Sequence, residues 1–144
     1  MLNYLVGMDI AKLAYLAGLF DGEGSVSMAH RYKGKHKTGG PGTWFQLTVV
    51  IRNRNRECLE LAQELFGGSI NVQRFKSKGW ADCYRWQAGA KVGIAFLQAI
   101  NPYVIIKRPQ IDAVLNNLED KGKVSELLTT FNRRGQFKGT QLPL

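Results

Sequence analysis

The segment Leu16–Gly24 constrains this chain more than any other, and it occurs once in 144 residues. It reads Leu-Ala-Gly-Leu-Phe-Asp-Gly-Glu-Gly, so that small and apolar residues lead into two carboxylates flanked by glycines. Carboxylate oxygens suit hard cations such as Mg²⁺, with backbone carbonyls and water completing the coordination. Taken alone, Asp-Gly-Glu-Gly is more typical of a plain turn after a helix. The segment points to a metal site at a contact between two helices, if the rest of the chain supports it.

A helix is predicted before these carboxylates, from about Ile10 to Phe20, with Asp9 able to cap its first turn. Ala11, Ala14 and Gly18 recur at spacings of three and four, so they share one face of this helix. A second helix could approach closely along that face, because no bulky side chain would hold it away. Burial against the chain's own sheet explains the small residues equally well, and the helix pattern does not choose between the two.

After Gly24 the apolar residues alternate with a period of two, which predicts strands. Strands are expected at residues 25–33, 44–53, 69–75 and 82–88, with a mobile, glycine-rich loop at 34–42. Further helices are expected at 57–66, 92–100, from 109 onwards and at 124–131. The order α-β-β-α-β-β-α, followed by C-terminal helices, predicts an α+β fold with a four-stranded antiparallel sheet and helices on one face. Residues 1–131 are expected to form a single domain, and residues 132–144 a basic, flexible tail.

The apolar positions divide these elements into a core-facing and an outward side. In the helix at 57–66 the predicted core-facing residues are Leu61, Leu65 and Phe66. In the hairpin formed by the last two strands they are Ile70, Val72, Tyr84 and Trp86. In the helix that Pro109 opens they are Ile111, Val114, Leu115 and Leu118.

The outward side of the predicted sheet is polar and poor in acidic residues, and the chain as a whole is basic. Lys and Arg number 20 against 11 acidic residues; the resulting net charge of +9 favours a polyanionic partner such as nucleic acid. Arg can pair with guanine, and Asn or Gln with adenine, in the major groove of DNA. A plain solvent-facing sheet and a basic surface that only serves solubility are the alternatives. The predicted DNA-binding residues are Ser25, Ser27, Arg31, Lys33, Trp44, Gln46, Thr48, Arg52, Arg54, Asn71, Gln73, Arg85 and Gln87.

The two cysteines, Cys58 and Cys83, lack the spacing of metal ligands and lie in regular segments, so we expect reduced thiols. No apolar run is long enough to cross a membrane, and the first residues lack the pattern of a signal peptide. We therefore expect an intracellular protein that is not secreted.

Leu16–Gly24 resembles the signature of the LAGLIDADG homing endonucleases, and the resemblance extends over nearly the whole chain. A strand pair follows the signature, as in the family, and the next helix ends in Phe66-Gly67-Gly68. Tyr84-Arg85-Trp86 fits a hairpin strand of the family, and Ile100–Arg108 resembles its proline-aromatic segment before a basic active-site residue. The resemblance implies the LAGLIDADG fold with a saddle-shaped sheet. It also implies an enzyme of the intron-homing type, a Mg²⁺-dependent endonuclease that hydrolyses both strands of double-stranded DNA. Mn²⁺ or Ca²⁺ is expected to be able to replace Mg²⁺ in binding. Such an enzyme is expected to reside with its target DNA, in an organelle or in a prokaryotic cytoplasm.

The resemblance assigns roles to individual residues. Glu23 matches the acidic position that ligates the catalytic metal, and the carbonyl of Gly22 matches the backbone ligand offered toward the partner's metal. Lys107 matches the basic residue near the scissile phosphate, where a cation stabilises developing charge. Asp21 matches the other acidic letter of the signature and is expected to be mainly structural. Asn53 falls where the family often has a Gln that positions water, and its shorter side chain must reach further.

A single signature implies a homodimer, whose helices pack at a two-fold axis and whose target is long and nearly palindromic. The expected interface residues are Ala14, Ala17, Gly18 and Asp21. One of Arg52, Arg54 and Arg56 is expected to take a second basic role, and their spacing does not say which. The alternative is a non-catalytic nucleic-acid binder of the same fold, either an intron RNA maturase or a DNA-binding regulator. The presence of Glu23 and Lys107 favours the nuclease.

Overall fold

The computed structural model describes residues 9–32, 43–74, 79 and 82–133. These ranges hold five helices, namely α1 (Ile10–Glu23), α2 (Arg56–Phe66), α3 (Ala90–Ile100), α4 (Arg108–Leu115) and α5 (Lys121–Phe131). They also hold four strands, namely β1 (Gly24–Arg31), β2 (Trp44–Asn53), β3 (Ser69–Gln73) and β4 (Cys83–Ala88). A 3₁₀ turn at Asn101–Tyr103 lies between α3 and α4. The predicted loop at 34–42, Lys33, most of the predicted hairpin turn and the tail after Arg133 lie outside the described residues.

All four strands pair antiparallel in the spatial order β1-β2-β4-β3, so that β2 and β4 are central and β1 and β3 form the edges. The predicted α+β class and the predicted order of elements are confirmed, and β2 has the predicted bounds. Of the helices in the described ranges, none is both long enough and apolar enough to cross a lipid bilayer.

One face of the sheet carries the core, because its alternate residues are apolar and helices pack against them. Val49 and Trp86, on the two central strands, are fully buried there. The ring of Phe96 on α3 contacts three other aromatic rings, with centroid distances of 5.7 Å to Phe20, 5.2 Å to Phe66 and 4.9 Å to Trp86. This aromatic cluster anchors the second half of α1, which leads into the two carboxylates of the signature.

Helix α2 begins at a side-chain hydrogen bond and ends at two glycines. The side chain of Asn55 accepts the backbone N–H of Cys58 and caps the first turn. Gly67 and Gly68 follow the last turn with φ of +93° and +87°, a conformation that L side chains rarely adopt. An added Cβ at Gly68 would also lie 2.7 Å from the carbonyl oxygen of Gln87. Only glycine therefore lets the chain enter β3 this close to β4.

The core-facing side of α2 differs from the prediction. Its buried residues are Cys58, Leu59, Ala62 and Phe66. Leu61 and Leu65 are only partly buried, because they flank this stripe on the helix surface and do not lie along it. All three predicted residues contact the core, Phe66 as a buried member and the two leucines at its margin.

Two further predicted core residues are exposed. Val72 lies on the edge strand β3 and is 40% exposed. Leu118 lies beyond the end of α4 at Leu115, so the helical period no longer returns it to the core, and it is exposed. Ala113 is buried on α4 in addition to Ile111 and Val114.

The C-terminal helix is tied to the first strand. The hydroxyl of Ser125 donates to the carbonyl of Met28 at 3.4 Å. The side-chain amide of Asn132 donates to the carbonyl of Val26 at 2.8 Å. Asn132 is the first residue of the predicted tail, so the chain is attached to β1 at least as far as this residue.

Candidate active site and nucleic-acid interface

The signature segment forms the last turns of α1, which continues to Glu23 and passes into β1 at Gly24 without a loop. The interpretation of Asp-Gly-Glu-Gly as a turn after the helix is therefore wrong. Gly24 donates its backbone N–H to the carbonyl of Phe20. An added Cβ at Gly24 would lie 2.1 Å from Cδ2 of Phe20, so a glycine is required where the strand leaves the helix. This junction leaves Glu23 exposed at the C-terminal end of α1.

The C-terminal end of α1 offers oxygen donors to a cation. Glu23 and Gly22 are both exposed, and an added Cβ at Gly22 would meet nothing within 4 Å. The last carbonyl groups of a helix lack partners within it, and the negative end of the helix dipole favours a cation. Carboxylate and carbonyl oxygens are donors that Mg²⁺ accepts, so this end of the helix fits the predicted metal. Within the described ranges, no three His, Cys, Asp or Glu side chains lie close enough together to hold a metal ion.

The carboxylate of Asp21 binds a segment that is distant in sequence. It accepts three backbone N–H groups, from Ile105 at 2.8 Å, Ile106 at 3.1 Å and Lys107 at 3.0 Å. These bonds bring Lys107 to the end of α1 across a sequence separation of 86 residues. The contacts agree with the predicted structural role of Asp21. The predicted place of Asp21 in a dimer interface stays a prediction, and the residue is half-buried.

Lys107 borders a depression of about 380 Å³ between β1 and the start of α4. Ser25 and Ser27 of β1 and Arg133, which follows α5, also line this depression. Two hydroxyl-bearing side chains and two cations make it a suitable place for a phosphate group. Arg133 was not among the predicted DNA-binding residues, because only the basic character of the tail signals it in the sequence.

Asn53 lies at the end of β2, where the chain turns into α2. Its side-chain oxygen accepts the backbone N–H of Asn55 at 2.8 Å, which forms the turn before the helix. It pairs with Tyr84 in the sheet, so strand alternation places it on the core-facing side. The predicted catalytic role of Asn53 stays a prediction.

The three arginines around this turn have different surroundings. Arg52 lies on the polar face of the sheet, where its Nε donates to Gln73 at 3.2 Å. The Nε of Arg56 pairs with Glu60 at 2.8 Å within α2. Arg54 is exposed beyond the end of β2. Of the three, Arg52 is thus the one that the sheet register places on the predicted DNA-binding face.

Cys58 lies close to the end of α1 but is not suited to bind metal. It is buried on α2, and its Sγ donates to the carbonyl of Asn55 at 3.1 Å. Burial raises the pKa of the Cys58 thiol, and the negative charge of Glu23 adds to the rise. A protonated thiol is a poor metal ligand, so the oxygen donors of α1 remain the candidate metal ligands. Neither Cys58 nor Cys83 forms a disulfide.

The face of the sheet opposite the core is built from alternate residues of all four strands, as predicted. One row across the sheet holds Ser25, Val50, Gln87 and Ser69, and the next holds Arg52, Arg85 and Asn71. Ser27 with Thr48, Ala29 with Gln46, and Arg31 with Trp44 extend the face along β1 and β2. No acidic residue occurs in any of the four strands. Ser69 was not predicted, although it is in step with Asn71 and Gln73 at a period of two.

On this face the arginines contact amide side chains. The Nε of Arg31 donates to Gln46 at 3.0 Å, and that of Arg52 donates to Gln73 at 3.2 Å. Arg85 lies opposite Arg52, and its Nε is buried without a hydrogen-bond partner among the described residues. Burial lowers the pKa of the Arg85 guanidinium, and the positive charge of Arg52 lowers it further. The face thus concentrates positive charge in a way that suits a polyanion.

The outward face of α1 is not covered by the described part of the chain. Ile10 and Tyr15 are 65% and 53% exposed, and Ala11, Ala14 and Gly18 are exposed as well. An added Cβ at Gly18 would meet nothing within 4 Å. Burial against the chain's own sheet, the alternative interpretation of these small residues, is therefore wrong for them.

Ala17 has the opposite environment. Its side chain is fully buried in the same core as Leu13, Leu16 and Phe20. A residue enclosed by its own domain cannot also form an exposed contact face, so Ala17 is wrong as a predicted dimer-interface residue. Of that predicted set, Ala14 and Gly18 lie on the exposed face, and Asp21 is half-buried.

The sequence matches the family model described as LAGLIDADG endonuclease over residues 16–88, which is 73 of the 144 residues. The matched region runs from the signature to the end of β4. No curated protein sequence matches the chain.

Several solved structures are similar in fold. The archaeal intron-encoded homing endonuclease I-Vdi141I, complexed with DNA, has a TM-score of 0.63 and 23% sequence identity, over 87% of this chain and 86% of that one. The homing endonuclease I-CvuI, in complex with the I-CreI target, has a TM-score of 0.61 and 18% identity, over 93% and 87%. The group I intron-encoded homing endonuclease I-CeuI, complexed with DNA, has a TM-score of 0.57 and 18% identity, over 92% and 71%. From its signature, its four-stranded antiparallel sheet and these matches, the chain belongs to the LAGLIDADG endonuclease family.

Proposed function

We propose that this protein is a site-specific double-strand DNA endonuclease, which cleaves a long, nearly palindromic target with a divalent metal at a homodimer interface. The observation that carries the proposal is the joint position of Glu23 and Lys107. The hydrogen bonds of Asp21 bring Lys107 to the helix end at which Glu23 is exposed. The nearness of these two residues at the end of α1 supports the roles that we propose for them, Glu23 as a metal ligand and Lys107 as a cation for a phosphate.

The polar face of the sheet is the proposed DNA-binding surface. Arg31, Arg52 and Arg85 supply donors for guanine, while Gln46 and Gln87 can pair with adenine. The adjacent guanidinium groups of Arg52 and Arg85 repel each other. A phosphate or a base edge would relieve this repulsion. The I-Vdi141I and I-CeuI structures, which are similar in fold, are complexes with DNA.

In the proposed reaction, Glu23 would hold a divalent metal, and the carbonyl of Gly22 would be offered toward the metal of the partner protomer. When bound, such a metal supplies an activated water and stabilises the leaving oxygen of the phosphodiester. The ammonium group of Lys107 donates to a non-bridging oxygen of the same phosphate. Its charge is most effective as negative charge builds up at the reacting phosphorus. We propose Mg²⁺ as the ion, with Mn²⁺ or Ca²⁺ able to replace it in binding. The use of a divalent ion is supported by the I-CvuI complexes, which were solved in the presence of Mg or Ca.

A second copy of the chain is the proposed partner of the exposed α1 face. Small residues along this face allow close approach of the same face of another protomer, and such an isologous contact closes on itself. Two protomers then supply two Glu23 and two Lys107 side chains, one set for each DNA strand. The two-fold symmetry of the protein accounts for the nearly palindromic target. We place the protein inside the cell, with its target DNA.

The test is selection of cleaved sites from a randomised double-stranded DNA library in Mg²⁺, with the unsubstituted protein and the Glu23→Gln variant in parallel. We expect the unsubstituted protein to enrich one long, nearly palindromic site, and the variant to bind that site without cutting it. Sites enriched equally by both proteins, with no cut ends, would instead support the alternative, a non-catalytic nucleic-acid binder of the same fold.

A further inference from the structure

Asp21 is the carboxylate of the signature that the proposed reaction does not use. Both of its oxygens accept backbone N–H groups, Oδ2 from Ile105 and Oδ1 from Ile106 and Lys107. Hydrogen bonds from backbone N–H groups to a carboxylate are charge-assisted and stronger than those between neutral groups. Asp21 therefore holds three consecutive peptide groups at one point, immediately before α4 begins.

Few other contacts hold this segment. Val104 is fully buried before it and Ile111 is fully buried after it, whereas Ile105 and Ile106 are exposed. Lys107 occupies the N-cap position of α4 but makes no side-chain capping hydrogen bond. Besides Asp21, the segment is braced by Arg108, whose guanidinium donates to the carbonyl of Val104 and, at 3.5 Å, to Asn101. The carbonyl of Lys107 also accepts the N–H of Ile111 at 3.1 Å, in the first turn of α4. Asp21 thus ties the backbone of Lys107 to α1.

The same helix turn carries the proposed metal ligand. Asp21 and Glu23 are separated by one residue in the last turn of α1, and the helix backbone between them is rigid. Since Asp21 is bonded to the backbone of Lys107, the backbone of Glu23 and the backbone of Lys107 are linked through this turn. A misplacement of about 1 Å at a reacting centre can cost on the order of 100-fold in rate.

We propose that Asp21 is a positioning residue, which fixes Lys107 relative to Glu23 and thereby sets the rate of DNA cleavage. It contacts neither the metal nor the DNA in this role, and it acts through the backbone of Lys107. The inference rests on the proposed endonuclease function and extends it to a residue that the family signature leaves as structural.

The experiment is a double-mutant cycle on single-turnover cleavage of the selected site, with protein in excess over DNA. Its variants are Asp21→Asn, Lys107→Met and the two combined. Asparagine keeps the size of the side chain but replaces one acceptor oxygen by an NH₂ group, which faces the backbone donors. We expect Asp21→Asn to slow cleavage by about 100-fold with unchanged DNA affinity. In the Lys107→Met background the same substitution should slow cleavage no further, because no ammonium group remains to be misplaced.

Stability is measured in parallel, since loss of a carboxylate that accepts three backbone N–H groups also weakens the fold. Asp120 provides the matched control, because its side chain caps α5 by accepting the N–H of Lys123 at 3.1 Å. We expect Asp120→Ala and Asp21→Ala both to lower the melting temperature, but only Asp21→Ala to slow cleavage at a temperature where both are folded. Amide hydrogen exchange at residues 105–107 should rise in the Asp21 variants and stay unchanged in Asp120→Ala.

The outcomes separate this inference from the function on which it rests. If the unsubstituted protein cleaves but Asp21→Asn cleaves equally fast, the positioning role is wrong and the endonuclease stands. If Asp21→Asn slows cleavage by the same factor with and without Lys107, Asp21 acts independently of Lys107 and the positioning role is again wrong. If the unsubstituted protein cleaves no site in the library, the endonuclease itself is wrong.

Discussion

Ala17 and Gly18 are neighbours on α1, yet one is enclosed by the chain and the other is open to solvent. The two carboxylates of the signature divide in the same way. Asp21 is bound to the backbone before α4, whereas Glu23 is exposed. The difference teaches that one short segment serves two purposes. Ala17 and Asp21 build the domain, and Gly18 and Glu23 remain available to a partner protomer, a metal and DNA.

The largest expected effect is on the rate of DNA cleavage, and it concerns Glu23, the exposed carboxylate of the two. Glu23→Gln should reduce cleavage by on the order of 1,000-fold, because a neutral amide cannot replace a charged metal ligand in stabilising the transition state. DNA binding should remain, since the sheet face is unchanged. Cleavage in Mg²⁺ and filter binding in Ca²⁺ measure the two properties separately. Glu64→Gln, at an exposed position of α2, is the matched control and should cleave normally; a cutting Glu23→Gln protein would contradict the comparison.

The next effect is on assembly. Gly18→Leu places a bulky side chain on the exposed face of α1, where it should block the approach of a second copy and convert dimers to monomers. The substitution favours the helix itself by about 1 kcal/mol, so unfolding would not be the cause of dissociation. Sedimentation velocity measures the outcome. A dimer that persists at the same concentration would show that this face is not the interface.

Ala17→Leu is the counterpart one residue earlier. Because Ala17 is fully buried, the larger side chain should overpack the core and lower the free energy of unfolding by about 1–3 kcal/mol. Urea denaturation of both leucine variants measures this difference. Equal stability of the two proteins would mean that the division of α1 into an enclosed and an open side is incorrect.

The smallest effect extends the comparison to the sheet. Arg85→Gln should shift base preference at one symmetric pair of target positions by about 1 kcal/mol, since glutamine keeps a side chain able to pair with a base. The cleavage rate on the best site should change little. Site selection is carried out with Arg85→Gln and with the control Lys123→Gln, which removes one positive charge from an exposed position of α5. The two results separate the loss of base recognition from a general loss of charge. Identical site preferences would assign Arg85 to phosphate contact alone.

Much of the fold was predictable because local patterns determine it. The alternation in residues 44–53 gave the bounds of β2 and assigned Gln46, Thr48 and Arg52 to the polar face. Asp9 and the pair Gly67-Gly68 mark helix ends through a hydrogen bond and φ angles that act within a few residues. The order of elements followed from these signals.

The remaining features depend on contacts between distant parts of the chain. The hydrogen bonds from Ile105, Ile106 and Lys107 to Asp21 cross more than 80 residues, and no periodicity announces them. The small residues of α1 could not show that Ala17 would be buried and Gly18 exposed, because they follow Ala14 by three and four residues and both spacings fit one helix face. Likewise, Leu61 is as apolar as Leu59, and only the packing of α2 on the sheet decides which is buried.

The junction at Gly24 has a consequence for how such an enzyme changes its target. Because α1 runs into β1 without a loop, a single peptide bond joins Glu23 to the first strand of the DNA-binding sheet. In the proposed endonuclease, the spacing between the cut bond and the bases read by β1 is then built into the backbone and cannot be adjusted by lengthening a linker. An inserted residue would turn the side chains of β1 to the opposite face. New target sequences are therefore reached by exchanging side chains on the strands, while the position of the cut is retained.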